Sequence, residues 1–368
     1  MMNYTEYVER LDKNLKSNAV IAEKDCVFRD IRAFSEFDIY GLVNPKTTDE
    51  FHRVPLDVCD KIGAGMQYFG RNTAGGRVRF STNSKYVALR VKMPEIHLRN
   101  MNYAGSAGFD LYIDGEKDSK FYKMFIPPFA FDGVWQGIIY LPGGRKARNL
   151  TICFPLYCLV QKVEIGLQKS ATLGHGKEYT YKKPIVFYGG SHVQGASANK
   201  PGNAVSHFVS RHFDVDFVNL GFSGNALGEV EMAEFIGSID ASLLVMEYDH
   251  NAPTVEYLKK THYPFYETVR RMRPDMPIIM VSKHDYYICS YYVKSQKENV
   301  ERRKTVIESY ERALAAGDKN VYFIDGKDLL KGPNREDCTV DGVHPTDLGF
   351  YRMAGKFIKF IEKNKLLK

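Results

Sequence analysis

Four short segments carry residue types suited to acyl transfer. The first is Gly189-Gly190-Ser191-His192-Val193-Gln194-Gly195. Glycines on both sides let the backbone turn sharply and present a serine hydroxyl near a helix N-terminus, although a glycine-rich turn with a capping serine would read the same way. The second, Asn219-Leu220-Gly221-Phe222-Ser223-Gly224-Asn225, contains glycine where a backbone N–H could approach a developing oxyanion; by itself it reads as a turn. In the third, Met246-Glu247-Tyr248-Asp249-His250-Asn251-Ala252-Pro253, the Asn251 amide can donate to the same charge or serve a helix start. The fourth, Asp341-Gly342-Val343-His344-Pro345, is the most specific. An imidazole can take a hydroxyl proton near neutral pH. An Asp three residues earlier, across a glycine, can fold back onto its other nitrogen and fix the tautomer.

The elements that must position these segments follow from hydrophobic period. From Pro184 onward, short apolar runs (Ile185–Tyr188, Phe217–Leu220, Leu243–Met246, Ile278–Val281, Val321–Ile324) alternate with helical segments near 204–213, 229–236, 255–272, 293–316 and 348–364. Five strand–helix alternations predict a doubly wound, flavodoxin-like parallel sheet of five strands. Such sheets bind ligands at the carboxyl ends of their strands, where all four segments fall. From about Cys26 to Gln168 the chain reads instead as many short strands, at 78–82, 86–91, 109–113, 121–126, 137–141, 150–154 and 160–165, separated by turn signals such as Asp114-Gly115 and Pro142-Gly143-Gly144. That pattern predicts a β-sandwich or jelly roll. Gly174-His175-Gly176-Lys177 reads as the linker, giving an N-terminal β-domain over 1–178, its first 25 or so residues an extension, and an α/β domain over 184–368.

Taken together, the order Ser, Gly, Asn, Asp-x-x-His resembles the SGNH (GDSL-like) serine esterase superfamily over the whole second half. The resemblance implies Ser191 as nucleophile, His344 as base and Asp341 as its orienting partner. It places the oxyanion hole at the Ser191 backbone N–H, Gly224 and Asn251. Gly108-Phe109-Asp110-Leu111-Tyr112 and Pro155-Leu156-Tyr157 are similar to a bacterial two-domain subgroup whose N-terminal β-domain bears a Gly-x-Asp-Leu-Tyr signature. Two departures stand out. Gly190 occupies the place of the usual Asp before the nucleophile, and Asp249-His250-Asn251-Ala252 replaces the commoner Gly-x-Asn-Asp. Asp249 and His250 read as local hydrogen-bonding or substrate-wall residues.

These features point to a carboxylic ester hydrolase working through an acyl-enzyme, with no cofactor and no metal required. A short acyl (acetyl) ester on a carbohydrate or similar small polar molecule is the favoured substrate, because no long apolar lid segment is visible and Tyr is abundant, at 24 residues. A metal-dependent phosphoesterase using Asp249, His250, His284, Asp285 and His344 is a rival. So is a carbohydrate-binding protein with a degenerate hydrolase domain. The net charge of +7 is scattered and argues against nucleic-acid binding. Six cysteines without a Cys-x-x-Cys pair suggest free thiols, and Cys153 and Cys158 in particular read as buried and unbridged. No run reaches membrane-spanning length and Met1–Ser17 has no signal core, so the chain reads as cytoplasmic, with secretion open if a leader was removed. Self-association is left open.

Overall fold

The computed structural model describes residues 4–12, 21–116, 118–284 and 293–367. A short helix, α1 (Tyr4–Leu11), precedes ten strands: β1 (Cys26–Asp30), β2 (Asp38–Tyr40), β3 (Arg77–Thr82), β4 (Tyr86–Lys92), β5 (Phe109–Asp114), β6 (Ser119–Phe125), β7 (Val134–Tyr140), β8 (Arg148–Cys153), β9 (Lys162–Gln168) and β10 (Leu173–His175). They form two antiparallel sheets, ordered β1-β9-β4-β7 and β10-β3-β8-β5-β6, with β2 also paired to β3. Alternate residues of each sheet point into one shared core. Val87, Leu89 and Val91 come from β4; Val78 and Phe80 from β3; Leu150 and Ile152 from β8. A period of two on both facing sheets is what a sandwich requires.

The sheet of the second half joins β11 (Tyr181–Gly189), β12 (Val215–Gly221), β13 (Leu243–Glu247), β14 (Ile278–Val281) and β15 (Val321–Ile324) in the order β12-β11-β13-β14-β15, all parallel. Its strands are apolar on both faces. Ile185 and Phe187 of β11 pack into one core, while Val186 and Tyr188 pack into the other. This explains why the sequence shows runs there rather than alternation. The connecting helices sort to the two faces. With α2 (Leu56–Ile62), α3 (Ala64–Phe69) and α4 (Tyr103–Ala107) lying in the β-rich half, the remaining helices are α5 (Ser191–Gln194), α6 (Val205–Phe213), α7 (Val230–Ser238), α8 (Val255–Met272), α9 (Val293–Ala315) and α10 (Asp347–Asn364). Residues of α6 and α10 cover one face and residues of α7, α8 and α9 the other.

The β-rich half holds more than the apolar pattern shows. Helices α2, α3 and α4 are five to seven residues long, too short for a 3.6-residue period to stand out. The stretch read as a linker overlaps β10, whose Leu173–His175 pairs with Phe80–Thr82 at the edge of a sheet. Strand β11 begins at Tyr181, before Pro184, and its pairing with β12 shifts register between Tyr181 and Ile185. A proline inside a strand lacks the N–H to continue the ladder. Cys26, Cys59, Cys153, Cys158 and Cys338 are free thiols; Cys289 lies outside the described residues. Among the described residues no helix is long and apolar enough to cross a membrane.

Candidate active site

Strand β11 lies inside the sheet, with β12 on one side and β13 on the other, and the β11–β12 and β12–β13 crossovers run over opposite faces. Ser191 opens α5 two residues past its end. This is the switch point of a doubly wound sheet, where strand ends diverge and leave a crevice. Ser191 is partly exposed. Its Oγ lies 3.0 Å from Nε2 of His344, and Nδ1 of His344 lies 2.7 Å from Oδ2 of Asp341. The other Asp341 oxygen accepts the backbone N–H groups of Val343 (3.0 Å) and His344 (2.8 Å), which folds the loop back on itself. A bridge between Thr339 and Pro345 closes the loop, and Thr346 caps α10 just beyond. Partial burial works against the Asp341 charge, but these N–H groups and the imidazole hold its carboxyl below the usual carboxylate range. A carboxylate fixed on Nδ1 leaves Nε2 as the acceptor facing the serine hydroxyl.

Of the expected oxyanion donors, Asn251 lies against the nucleophile turn at Gly190. Asn251 donates from Nδ2 to the Phe222 carbonyl at 2.9 Å, tying the third segment to the second; its amide nitrogen carries a second hydrogen. Gly224 sits at φ +68°, with open space where a side chain would project. Gly190 explains the first departure from the superfamily pattern. A Cβ there would meet Asn251 Oδ1 at 2.8 Å, so glycine lets the Asn251 amide pack against the nucleophile turn without shifting.

The β-rich half shapes this site directly. Tyr157 donates its hydroxyl to the Ser191 carbonyl at 3.4 Å. Gln194 donates to Asn72 Oδ1 (3.0 Å) and the Leu156 carbonyl (2.9 Å), while its Oε1 accepts the Ser223 N–H (3.0 Å). Asp110, from the Gly-x-Asp-Leu-Tyr signature, accepts the Gly202 N–H at 2.8 Å. Arg53 is fully buried and caps the end of β12, donating to the carbonyls of Asn219 (2.9 Å), Gly221 (2.8 Å), Asn72 (2.7 Å) and Phe69 (2.6 Å). None of these residues except Asp110 and Tyr157 stands out in the sequence.

Directly behind the nucleophile lies a group that the sequence scatters. The His192, His250 and His284 rings lie 4.6–4.8 Å apart, centroid to centroid. His192 Nε2 and His284 Nδ1 approach Glu247 Oε1 at 3.1 and 3.5 Å. Burial drives His192 and His250 toward the neutral imidazole, in His192 against the pull of Glu247. Although burial opposes it, Glu247 is held ionised by His192 and then His284. Asp249 faces elsewhere: it is buried, accepts the Lys283 N–H at 2.9 Å, and its carboxyl is pushed up to about 7 by that burial. Of the rival phosphoesterase's ligand set, His250 and His284 meet in this cluster. His344 belongs to the Ser191 relay, Asp249 points to Lys283, and Asp285 lies outside the described residues.

A doubly wound sheet carrying a Ser–His–Asp relay at its switch point fits the SGNH class of hydrolases. The chain matches the family model of the GDSL-like lipase/acylhydrolase family over residues 182–362, and that of the N-terminus of SGNH-hydrolase-type esterases, named GxDLY, over residues 26–173. It belongs to this family and is an esterase of the two-domain kind. A crystal structure from Bacteroides ovatus ATCC 8483, described as that of a GDSL-like lipase, is 29% identical with a TM-score of 0.84, covering 93% of this chain and 99% of that one. A salicylyl-acyltransferase from a tetracycline biosynthetic pathway is 18% identical with a TM-score of 0.76, covering 93% and 98%. An acetyl xylan esterase from the rumen bacterium Butyrivibrio proteoclasticus is 12% identical with a TM-score of 0.59, covering 93% and 100%. The last two likenesses are of fold. No curated protein matches the chain.

Proposed function

We propose that the enzyme removes a short acyl group, acetyl foremost, from a carbohydrate or similar small polar ester through an acyl-enzyme on Ser191. The observation that carries the mechanism is the unbroken relay from Ser191 Oγ through His344 to Asp341. Ser191 Oγ attacks the acyl carbon as its proton passes to His344 Nε2. The carbonyl oxygen becomes an oxyanion facing the Ser191 N–H, Gly224 and Asn251. Collapse expels the alcohol, which takes the proton from His344. Water then attacks the acyl-enzyme by the same route and frees the acid.

A polar, saccharide-like alcohol is favoured by an aromatic face near the site. His97, Tyr103 and Phe129 stack in near-parallel planes at 5.1 and 5.3 Å, and Phe129 is 68% exposed. The loop of His97 and Tyr103 is pinned to the segment after the nucleophile, since Ser197 donates to the Asn100 carbonyl (3.1 Å) and Asn102 to Asn199 (3.0 Å). Exposed aromatic rings offer a face to the apolar side of a sugar ring. Nothing in this proposal requires a nucleic acid or a membrane. A panel of chromogenic esters graded by chain length, followed by acetylated saccharides, tests it. Acetate esters should be turned over fastest and acetylated saccharides should release acetate; a preference for long acyl chains would overturn the assignment.

A further inference from the structure

Four side chains from three loops meet in the buried space beside the nucleophile: His192 from the residue after Ser191, Glu247 from the end of β13, His250 from the loop that carries Asn251, and His284 from the loop after β14. One ligand atom from each lies within 4.8 Å of all the others. We propose that these four residues bind a single divalent ion of the zinc type, which ties the nucleophile turn, the Asn251 loop and the His344 loop together.

Three observations carry this. The first is geometric. Tetrahedral zinc with arms of about 2.0–2.1 Å sets neighbouring ligand atoms roughly 3.3 Å apart, and His192 Nε2 and His284 Nδ1 stand 3.1 and 3.5 Å from Glu247 Oε1. The His192–Glu247 contact has that length without hydrogen-bond alignment, as expected of two ligands aimed at a common point rather than at each other. The second is the orientation of His284. Its Nε2 lies 2.8 Å from the Val343 carbonyl, an acceptor, so Nε2 carries a hydrogen and Nδ1 is the ring nitrogen that faces Glu247. A ligating histidine held through its other N–H by a backbone carbonyl is the usual support of such sites. The third is the donor set. Glu247, 1% exposed, shares this buried space with three imidazoles, nitrogen and carboxylate donors of the kind zinc takes.

Four protein ligands leave no open position for substrate, so the ion is structural and its part in catalysis is indirect. It joins Ser191 through His192, Asn251 through His250, and His344 through the His284–Val343 bond. The inference does not depend on the proposed substrate or on Ser191 as nucleophile.

The test is elemental analysis of the purified full chain, loaded with zinc and dialysed, alongside its melting temperature with and without a chelator. About one zinc per chain is expected, with a melting temperature lowered by chelation and restored by zinc, and a tetrahedral visible spectrum on cobalt substitution. His250→Ala should lose the ion, whereas His212→Ala, at an exposed histidine, and Ser191→Ala should keep it. Folded wild-type protein that retains no zinc after loading and shows no zinc-dependent change in melting temperature would overturn the proposal. Retention by His250→Ala would overturn it equally. Should that variant not fold, the wild-type measurements still decide.

Discussion

At the scale of single residues, the chemistry depends on where one proton can go. His344 must accept it and Asp341 must hold the imidazole in place, so Asp341→Asn should lower kcat strongly with little change in KM. An unchanged rate in Asp341→Asn would separate that pair from the chemistry. Asn251 is tested separately. Losing one oxyanion donor typically costs about 10²–10³ in kcat, and KM should hold because the charge exists only in the transition state. His250→Ala, by contrast, should act on melting temperature before rate, since His250 sits in the histidine cluster behind the site. Steady-state kinetics and melting curves on both variants check this, and a kinetic loss confined to His250→Ala would reverse the two roles.

Secondary elements account for what the sequence made legible and what it hid. The Asp341–His344 string is local: three residues, one turn and a following cap suffice to build it, and it folds as the spacing implies. Strands β11 and β13 announce themselves because burial on both faces demands unbroken apolar runs. The short β2 and β10 edges give no such signal, because three residues cannot show a period. Nor could composition reveal the cluster of His192, Glu247, His250 and His284, whose members come together only when parallel strands align their carboxyl ends. Arg53 is the clearest hidden element of support. Its side chain satisfies four carbonyls at the junction of α3 and β12, and Arg53→Met would leave buried acceptors without donors. A loss on the order of 3 kcal/mol is expected. Urea denaturation of the variant checks it, and an unchanged midpoint would show those carbonyls to be satisfied otherwise.

For the whole molecule, the β-rich half is part of the site's construction. Tyr157, Asn72, Asp110 and Arg53 all bond to residues 191–221, and Arg77, 1% exposed, pairs with Asp216 and the Phe217 carbonyl across the same junction. A chain reduced to residues 182–368 should therefore fold poorly, because these bonds would be replaced by exposed carbonyls and apolar surface. Circular dichroism and melting of the truncated chain measure this; a cooperative transition near that of the full chain would show that the α/β half stands alone.

The central claim is that Ser191 is a nucleophile activated by His344. A serine-directed fluorophosphonate probe, with the adduct located by mass spectrometry, tests it most directly. One probe per chain on Ser191 is predicted, absent from Ser191→Ala and greatly slowed in His344→Ala. Folded wild-type protein that stays unlabelled, or a Ser191→Ala variant that keeps more than about a hundredth of the esterase activity, would contradict it.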